Sequence, residues 1–232
     1  YTAANSIAIN YSTDYVYCSG NFSGQVDFDP GSGVFNLGSG DSDVFISVFD
    51  GNGIFITAGQ IGGFAEAYMN DLEFDQQHQQ LFVAGEYYLL VDFDPLSTVH
   101  YLTSEGDFDL FVLCLDSDLS FNWVFSGGTD YAYCDAYTVA YNVAGNGSIY
   151  VSGSVSEPFD IDPGSGVTML PGGNYILKLT RDGEFQWAIP YSNIIGVLLA
   201  AEKNGNGGVI ALSHFIYTVD ADPGPGIYLL TS

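Results

Sequence analysis

An all-β fold of repeated four-stranded antiparallel units is predicted by three observations. First, Val-Asp-Phe-Asp-Pro occurs at 26–30 and at 91–95, and returns as Phe-Asp-Ile-Asp-Pro at 159–163 and Val-Asp-Ala-Asp-Pro at 219–223. Its leading aspartates, Asp27, Asp92, Asp160 and Asp220, recur at intervals of 60 to 68 residues, and self-similarity at such a period marks a repeat architecture. Second, four short segments rich in Val, Ile, Phe and Tyr recur around each copy, bounded by Gly, Asn, Asp or Ser, which reads as strand and turn. Third, no window sustains a helical period, so almost no helix is expected.

The first strand of each repeat is read at Asn5–Asn10, Asn70–Asp75, Tyr137–Asn142 and Val197–Glu202. The second is read at Tyr15–Gly20, Leu81–Gly85, Ile149–Gly153 and Val209–Ser213, and the third at Asp43–Asp50, Asp109–Asp116 and Asn174–Arg181. The fourth, at Gly53–Gln60, Leu119–Phe125 and Gly183–Ile189, is followed by Gly62-Gly63 and Gly127-Gly128, with Ser192-Asn193 in the third copy. In the third strand Val44, Ile46 and Val48 alternate with Phe45, Ser47 and Phe49, both sets largely apolar, so both faces of the strand are expected to be covered. Four antiparallel strands per repeat, buried on both faces, is the blade of a β-propeller. A β-solenoid would have a shorter period, and a β-sandwich needs no repetition. The blades are placed at 1–63, 64–128, 129–193 and 194–232, about three and a half in all, within one propeller domain spanning 1–232.

The run Gly20-Asn-Phe-Ser-Gly-Gln-Val-Asp-Phe-Asp-Pro-Gly-Ser-Gly33, then Ser42-Asp-Val-Phe, then Gly183-Glu-Phe-Gln-Trp187 resembles the bacterial β-propeller repeat family of large secreted and cell-surface proteins in Bacteroidetes-type bacteria. The resemblance covers essentially the whole chain. It implies an extracellular or surface-displayed repeat module, and it is specific for fold rather than for activity. Members often carry a lysine in the third strand; here Lys178 does, with Ser47 and Cys114 read as its equivalents. The fourth-strand Trp is present as Trp123 and Trp187, which recur at one structural position and are therefore expected in the core, and is Thr57 in the first copy. The fourth repeat ends after its Asp-x-Asp-Pro loop, so the chain is expected to be part of a longer protein.

There are 28 acidic residues against three basic ones, for a net charge of −25, and all three basic residues lie beyond position 170. That excludes ordinary nucleic-acid binding, which rests on Lys and Arg neutralising phosphates, and argues against attraction to anionic membranes. No apolar run approaches the ~18 residues of a membrane helix. With 47% hydrophobic and 16% aromatic residues the chain can bury a core, so its acidity is a surface property bearing on solubility, a saline habitat or cation binding. Cys18, Cys114 and Cys134 are an odd set with no metal-ligand spacing, and Cys18 and Cys114, inside predicted strands, are read as free, buried thiols.

The repeated aspartates carry two readings. Residues i and i+2 of an extended segment point to one side, ~6.5–7 Å apart, so Asp27/Asp29, Asp92/Asp94, Asp160/Asp162 and Asp220/Asp222 each form a pair that could supply hard oxygens to Ca²⁺. Alternatively each Asp before Pro-Gly caps a turn by accepting backbone N–H groups. A second acidic set, Asp41/Asp43 and Asp107/Asp109, precedes the third strand and is absent from the third copy; it is read as a turn or edge device.

No catalytic set stands out. Glu66, Glu73, Glu86 and Glu157 break the repeat pattern without a basic or His partner nearby in sequence, His78 sits in the polar run 76–80 and is read as part of a solvated turn, and no nucleophile-elbow, zinc-protease or phosphate-loop motif appears. The chain is therefore read as non-enzymatic: an adhesion, glycan- or protein-binding or display module, with Tyr68, Tyr87, Tyr88, Tyr131, Tyr133 and Tyr191 near strand ends as contact candidates. Two alternatives stay open, a calcium-stiffened structural repeat and a polysaccharide-active enzyme whose site lies in further blades. An enzyme predicts an off-pattern carboxylate pair facing the channel.

Overall fold

The computed structural model describes residues 1–191, 194–201, 208–215, 218–220 and 228–231. Every regular element among them is a strand. The first repeat is an antiparallel meander of β1 (Thr2–Asn10), β2 (Tyr15–Asp27), β3 (Asn36–Phe49) and β4 (Phe55–Gly63). The second repeats it with β5 (Ala67–Asp75), β6 (Gln80–Asp92), β7 (Tyr101–Asp116) and β8 (Phe121–Gly127).

In the third repeat the long second and third strands are each broken in two. β9 (Cys134–Asn142), β10 (Ser148–Val155), β13 (Gly173–Thr180) and β14 (Phe185–Tyr191) form the sheet, and β11 (Phe159–Asp160) with β12 (Met169–Leu170) forms a separate two-stranded extension. The fourth copy contributes β15 (Ile194–Ala201) paired with β16 (Val209–Phe215), and β17 (Thr218–Asp220) paired with β18 (Leu229–Thr231). No sheet closes into a barrel among the described residues; β4 joins β6 only through Gly62 and Gly63 opposite Asp92 and Val91.

The third strands are covered on both sides, as their composition predicts. Val44, Ile46 and Val48 pack with Leu72, Phe74 and Leu81 of the next repeat, while Phe45 packs with Phe22 and Phe28. The same division recurs one repeat on, where Leu110, Val112 and Cys114 meet Val139, Tyr141 and Leu177. One ring pair marks each junction: Tyr17 stacks on Phe74 at 5.3 Å, and the equivalent Phe82 meets Tyr141 at 5.1 Å.

Side-chain size is exchanged across these junctions. The turn after β13 has Gly183 at φ +84, where a Cβ would lie 2.7 Å from the Trp123 ring. The equivalent turn after β7 has the buried Leu119 at φ 70, a costly angle for a branched residue, and its methyl reaches to 3.3 Å from a Cβ built at Gly59. The large Trp123 thus demands a glycine, and the smaller first-repeat residues admit a leucine.

Three sequence expectations need correction. The β2–β3 ladder pairs Tyr17 with Val48, as Phe82 pairs with Cys114 and Tyr150 with Lys178, so Val48 rather than Ser47 is the equivalent of Lys178. Trp187, expected in the core, is 36% exposed and leans on Tyr150 at 6.1 Å. His78 is not a freely solvated turn residue: its Nδ1 lies 2.6 Å from the fully buried Asp75 carboxylate, whose other oxygen accepts the Gln77 N–H.

Candidate functional site

The Asp-x-Asp-Pro loops form one repeated local structure. Oδ1 of Asp27 accepts the N–H groups of Asp29 (3.1 Å) and Phe35 (2.8 Å). Asp92 accepts those of Asp94 (3.1 Å) and His100 (2.7 Å), and Asp160 those of Asp162 (3.2 Å) and Thr168 (2.7 Å). The second aspartates act likewise: Asp29 accepts from Gly31, Asp94 from Leu96 and Asp162 from Gly164. The residue between them, Phe28, Phe93 or Ile161, is buried. Phe28 contacts Phe22 and Phe45, and Phe93 contacts Tyr87 and Phe111, at 4.8–5.2 Å.

Even the altered loop keeps this plan. A Cβ at Gly33 or Gly166 would lie 2.1 or 2.2 Å from the second carboxylate; at the corresponding place the second copy has Thr98, whose hydroxyl donates to Asp94 Oδ2. These are turn caps. No three His, Cys, Asp or Glu side chains gather to hold a metal ion among the described residues. The side chain of Asp220, and Asp222 entirely, lie outside the described residues.

We predict that Asp92→Ala lowers stability by about 1–2 kcal/mol, the cost of a lost backbone cap. Unfolding in millimolar calcium and in excess chelator should give the same midpoint for the parent chain; a calcium-dependent rise abolished by Asp92→Asn would identify a metal site instead.

The second acidic set divides: Asp41 and Asp107 are exposed, whereas Asp43 and Asp109 are buried structure rather than an edge device. Asp43 and Asp109 are 1% and 2% exposed, and burial raises the pKa of both. Their carboxyls occupy the space that a Cβ on Gly62 or Gly128 would need, at 2.1 and 1.9 Å. This accounts for one glycine of each pair, Gly62 and Gly128, and fits the third copy, which lacks the acid and has Ser192-Asn193 in place of the glycines. Gln60 donates to Asp43, while Asp109 Oδ1 has no partner.

The first strands bring together what sequence reading left scattered. β1, β5 and β9 each carry a bulge that leaves Asn5, Asn70 or Tyr137 unpaired in the ladder, and a bulge re-aims a side chain. Each meets the residue after the second-strand glycine. Asn5 donates to Asn21 at 3.1 Å, Asn70 to Glu86 at 2.7 Å, and the Tyr137 and Ser154 hydroxyls are 2.7 Å apart. Asn5 and Asn70 also donate to a carbonyl of the following repeat, Met69 and Ala136. Asp71 ties three repeats, accepting from Ser6 Oγ, its neighbour Leu72 N–H and Val139 N–H.

At the second bulge the repeat pattern is broken by acids. Burial, then the nearby charge of Asp135, pushes the Glu86 carboxyl up to about 8. Burial also raises Asp135, whose Oδ2 accepts from Tyr137 and Ser154 while its buried Oδ1 is unpartnered. Beside this pair lies a run of rings. Phe108 sits 5.9 Å from Tyr68, 5.4 Å from Tyr88 and 5.0 Å from Tyr133, and the Tyr68 hydroxyl donates to Glu66. Tyr131 and Tyr133 are 84% and 41% exposed.

Of the tyrosines singled out in sequence, Tyr68, Tyr88 and Tyr133 meet here around Phe108, whereas Tyr87 is core. Glu86 was legible as off-pattern; Asp135 was not, because its proximity to Glu86 comes from the next repeat. Aligning Glu86 on Asn21 and Ser154 is the signal that finds the site.

No family model matches the sequence, and no curated protein is similar to it at a significant level.

Proposed function

We propose that this chain is a section of a surface-displayed β-propeller that binds a glycan, or a glycan-bearing protein partner, through the ring cluster Tyr68, Tyr88, Phe108 and Tyr133. The propeller reading is supported by the succession of four-stranded meanders whose first strands lie beside one another, β1 against β5, β5 against β9 and β9 against β15. Side chains of all four line one cavity of about 570 Å³. The binding reading is carried by a single observation: four half-exposed rings form a continuous patch next to carboxyl and hydroxyl groups. Apolar ring faces for the body of a ligand, with a few convergent polar groups to orient it, are what a recognition site requires. The display role and the extracellular setting rest on the repeat resemblance and the acidic surface. The calcium-stiffened reading has less support, since the paired aspartates serve as backbone caps.

The test is a polysaccharide array followed by calorimetry on the best ligand. Phe108→Ala and Tyr133→Ala should each weaken binding about tenfold or more, the loss expected at an interface anchor, with far-ultraviolet spectra unchanged. Equal affinity in all three proteins overturns the assignment. A second reading, cleavage of the bound polysaccharide, is favoured by the off-pattern pair Glu86 and Asp135, because a carboxyl raised to about 8 is protonated at neutral pH and suited to general-acid work. Reducing-end release lost in Glu86→Gln with binding retained would establish it; no release by the parent chain removes it.

A further inference from the structure

The first and second inter-repeat junctions are built alike and differ in how one buried carboxyl is satisfied. At each, the Asp-x-Asp-Pro loop of the later repeat lies beside the fourth strand of the earlier one: the Pro95 carbonyl accepts the Gln60 N–H, and Pro163 shares a cavity wall with Ser126. Gln60 and Ser126 are equivalent, since they stand opposite Phe45 and Phe111 in the β3–β4 and β7–β8 ladders. In the first junction the Gln60 side-chain amide donates to Asp43 and, at 2.9 Å, to the Gly38 carbonyl. In the second, the shorter Ser126 reaches only the Tyr87 hydroxyl, at 2.8 Å. Asp109, the equivalent of Asp43, keeps a buried Oδ1 with no partner among the described residues.

A cavity of about 360 Å³ lies at this second junction. Asp109 lines it, and its Oδ1 lies against Gly128, which lines it too. Glu105, Asp160 and Asp162 bring the carboxyls on its wall to four, and no Lys or Arg shares it. Glu105 is itself a change. Thr103 faces Leu90 as Gly38 faces Gln25, so the place of Glu105, two residues on, is held in the first repeat by Gly40. From the first junction to the second, a donor is lost and an acid is gained. A buried carboxyl left without a donor costs about 1–3 kcal/mol or more, and a ligand that supplies the donor recovers that cost.

We propose that the junction of the second and third repeats is a binding site for an organic ammonium group, held by Asp109 where the first junction holds the Gln60 amide. The first junction supplies the chemistry, an N–H donor on a short chain. The four carboxyls supply the sign: ionised carboxylates only accept hydrogen bonds, and a charged donor makes bonds to them roughly twice as strong as a neutral one. Among the described residues no three of these acids converge to hold a metal ion, so a cation with several spread N–H donors suits the wall better than a point charge. The volume is at the small end of ligand sites, about 300–1,000 Å³, which fits a short diamine or one lysine side chain. The site is independent of the ring cluster around Phe108 and of any closure of the propeller.

Calorimetry of the full 232-residue chain with putrescine is the test, in 0.15 M NaCl so that diffuse attraction to the acidic surface is screened. Saturation at one equivalent is expected. Ser126→Gln installs the first junction's own donor without altering net charge, so it should weaken binding about tenfold or more while raising the thermal midpoint of the ligand-free chain. Equal affinity in parent and variant would assign the heat to the surface charge at large and overturn the site, as would a parent that does not bind. Glu105→Gln, at an exposed position, keeps the test decisive if Ser126→Gln does not fold: a loss of about threefold or more supports the site, and unchanged affinity overturns it. Nα-acetyl-lysine methylamide separates the two sources of the group. Affinity equal to that of putrescine supports a lysine of a protein partner, weaker affinity supports a free diamine, and both keep the ammonium site.

Discussion

Gly85→Ala should cost about 3 kcal/mol or more, placing it among the severe single substitutions, whereas Gly38→Ala should fall within about 0.5 kcal/mol of the parent. The difference lies in what a methyl group would meet. At Gly85 a Cβ would stand 2.0 Å from the carbonyl oxygen of Tyr68 and 2.9 Å from the Phe111 ring. Neither can yield cheaply, since the carbonyl belongs to the bulge that aims Asn70 and the ring lies in a close-packed core. Gly20 and Gly153 face the same obstacle, with the carbonyls of Ala3 and Asp135 at 1.9 and 1.8 Å. At Gly38, in β3, nothing lies within 4 Å. Urea midpoints of the two variants test this, and a Gly85→Ala protein as stable as the Gly38→Ala protein would show that the bulge is not fixed by this contact.

That glycine also shows where sequence reading stops. Repeat spacing, strand number and the two-faced burial of the third strand were legible, because each follows from composition at period 2 or from self-similarity. The aspartates were legible as turn caps for the same local reason: an Asp before Pro-Gly reaches backbone groups a few residues away. The recurrence of Gly20, Gly85 and Gly153 was visible, but its cause is a carbonyl on the paired strand. The buried state of Asp43 and Asp109 was misread as an edge device, since the glycines that make room for them lie about 19 residues downstream, across the β3–β4 and β7–β8 pairs. The Glu86–Asp135 pair was the least legible: one member breaks a pattern, the other belongs to the next repeat, and only the packing of β6 on β9 joins them. Local chemistry and period can be read along a chain, whereas junction chemistry requires knowing which repeat follows on which face.

The same junction makes stability fall as pH rises, opposite to the behaviour of a protein held by carboxylate salt bridges. Glu86 is raised from 4.5 to about 8, and Asp43, Asp71, Asp109 and Asp135 are all raised, in every case chiefly by burial. A carboxyl whose folded pKa lies above its unfolded value binds more protons in the native state, so its contribution is complete below the unfolded value and is lost as pH climbs through the folded one. For Glu86 that window runs from 4.5 to about 8, and each unit of separation corresponds to about 1.4 kcal/mol. Asp50 and Asp118 are lowered and act in the opposite sense, but both sit in exposed turns, where a shifted pKa contributes little. Rising net negative charge adds repulsion in the same direction as the buried acids. The midpoint of thermal unfolding should therefore drop by roughly 5–10 °C between pH 5 and pH 8, given about 2–4 °C per kcal/mol for a chain of this length. Glu86→Gln keeps the shape and the Asn70 contact while removing the proton, so it should match the parent at pH 5, exceed it at pH 8 and flatten the slope between. An equal slope in parent and variant would mean that Glu86 is solvated and that the buried aspartates carry the effect; a midpoint rising with pH in both would mean that these carboxyls are paired by charges rather than isolated by packing.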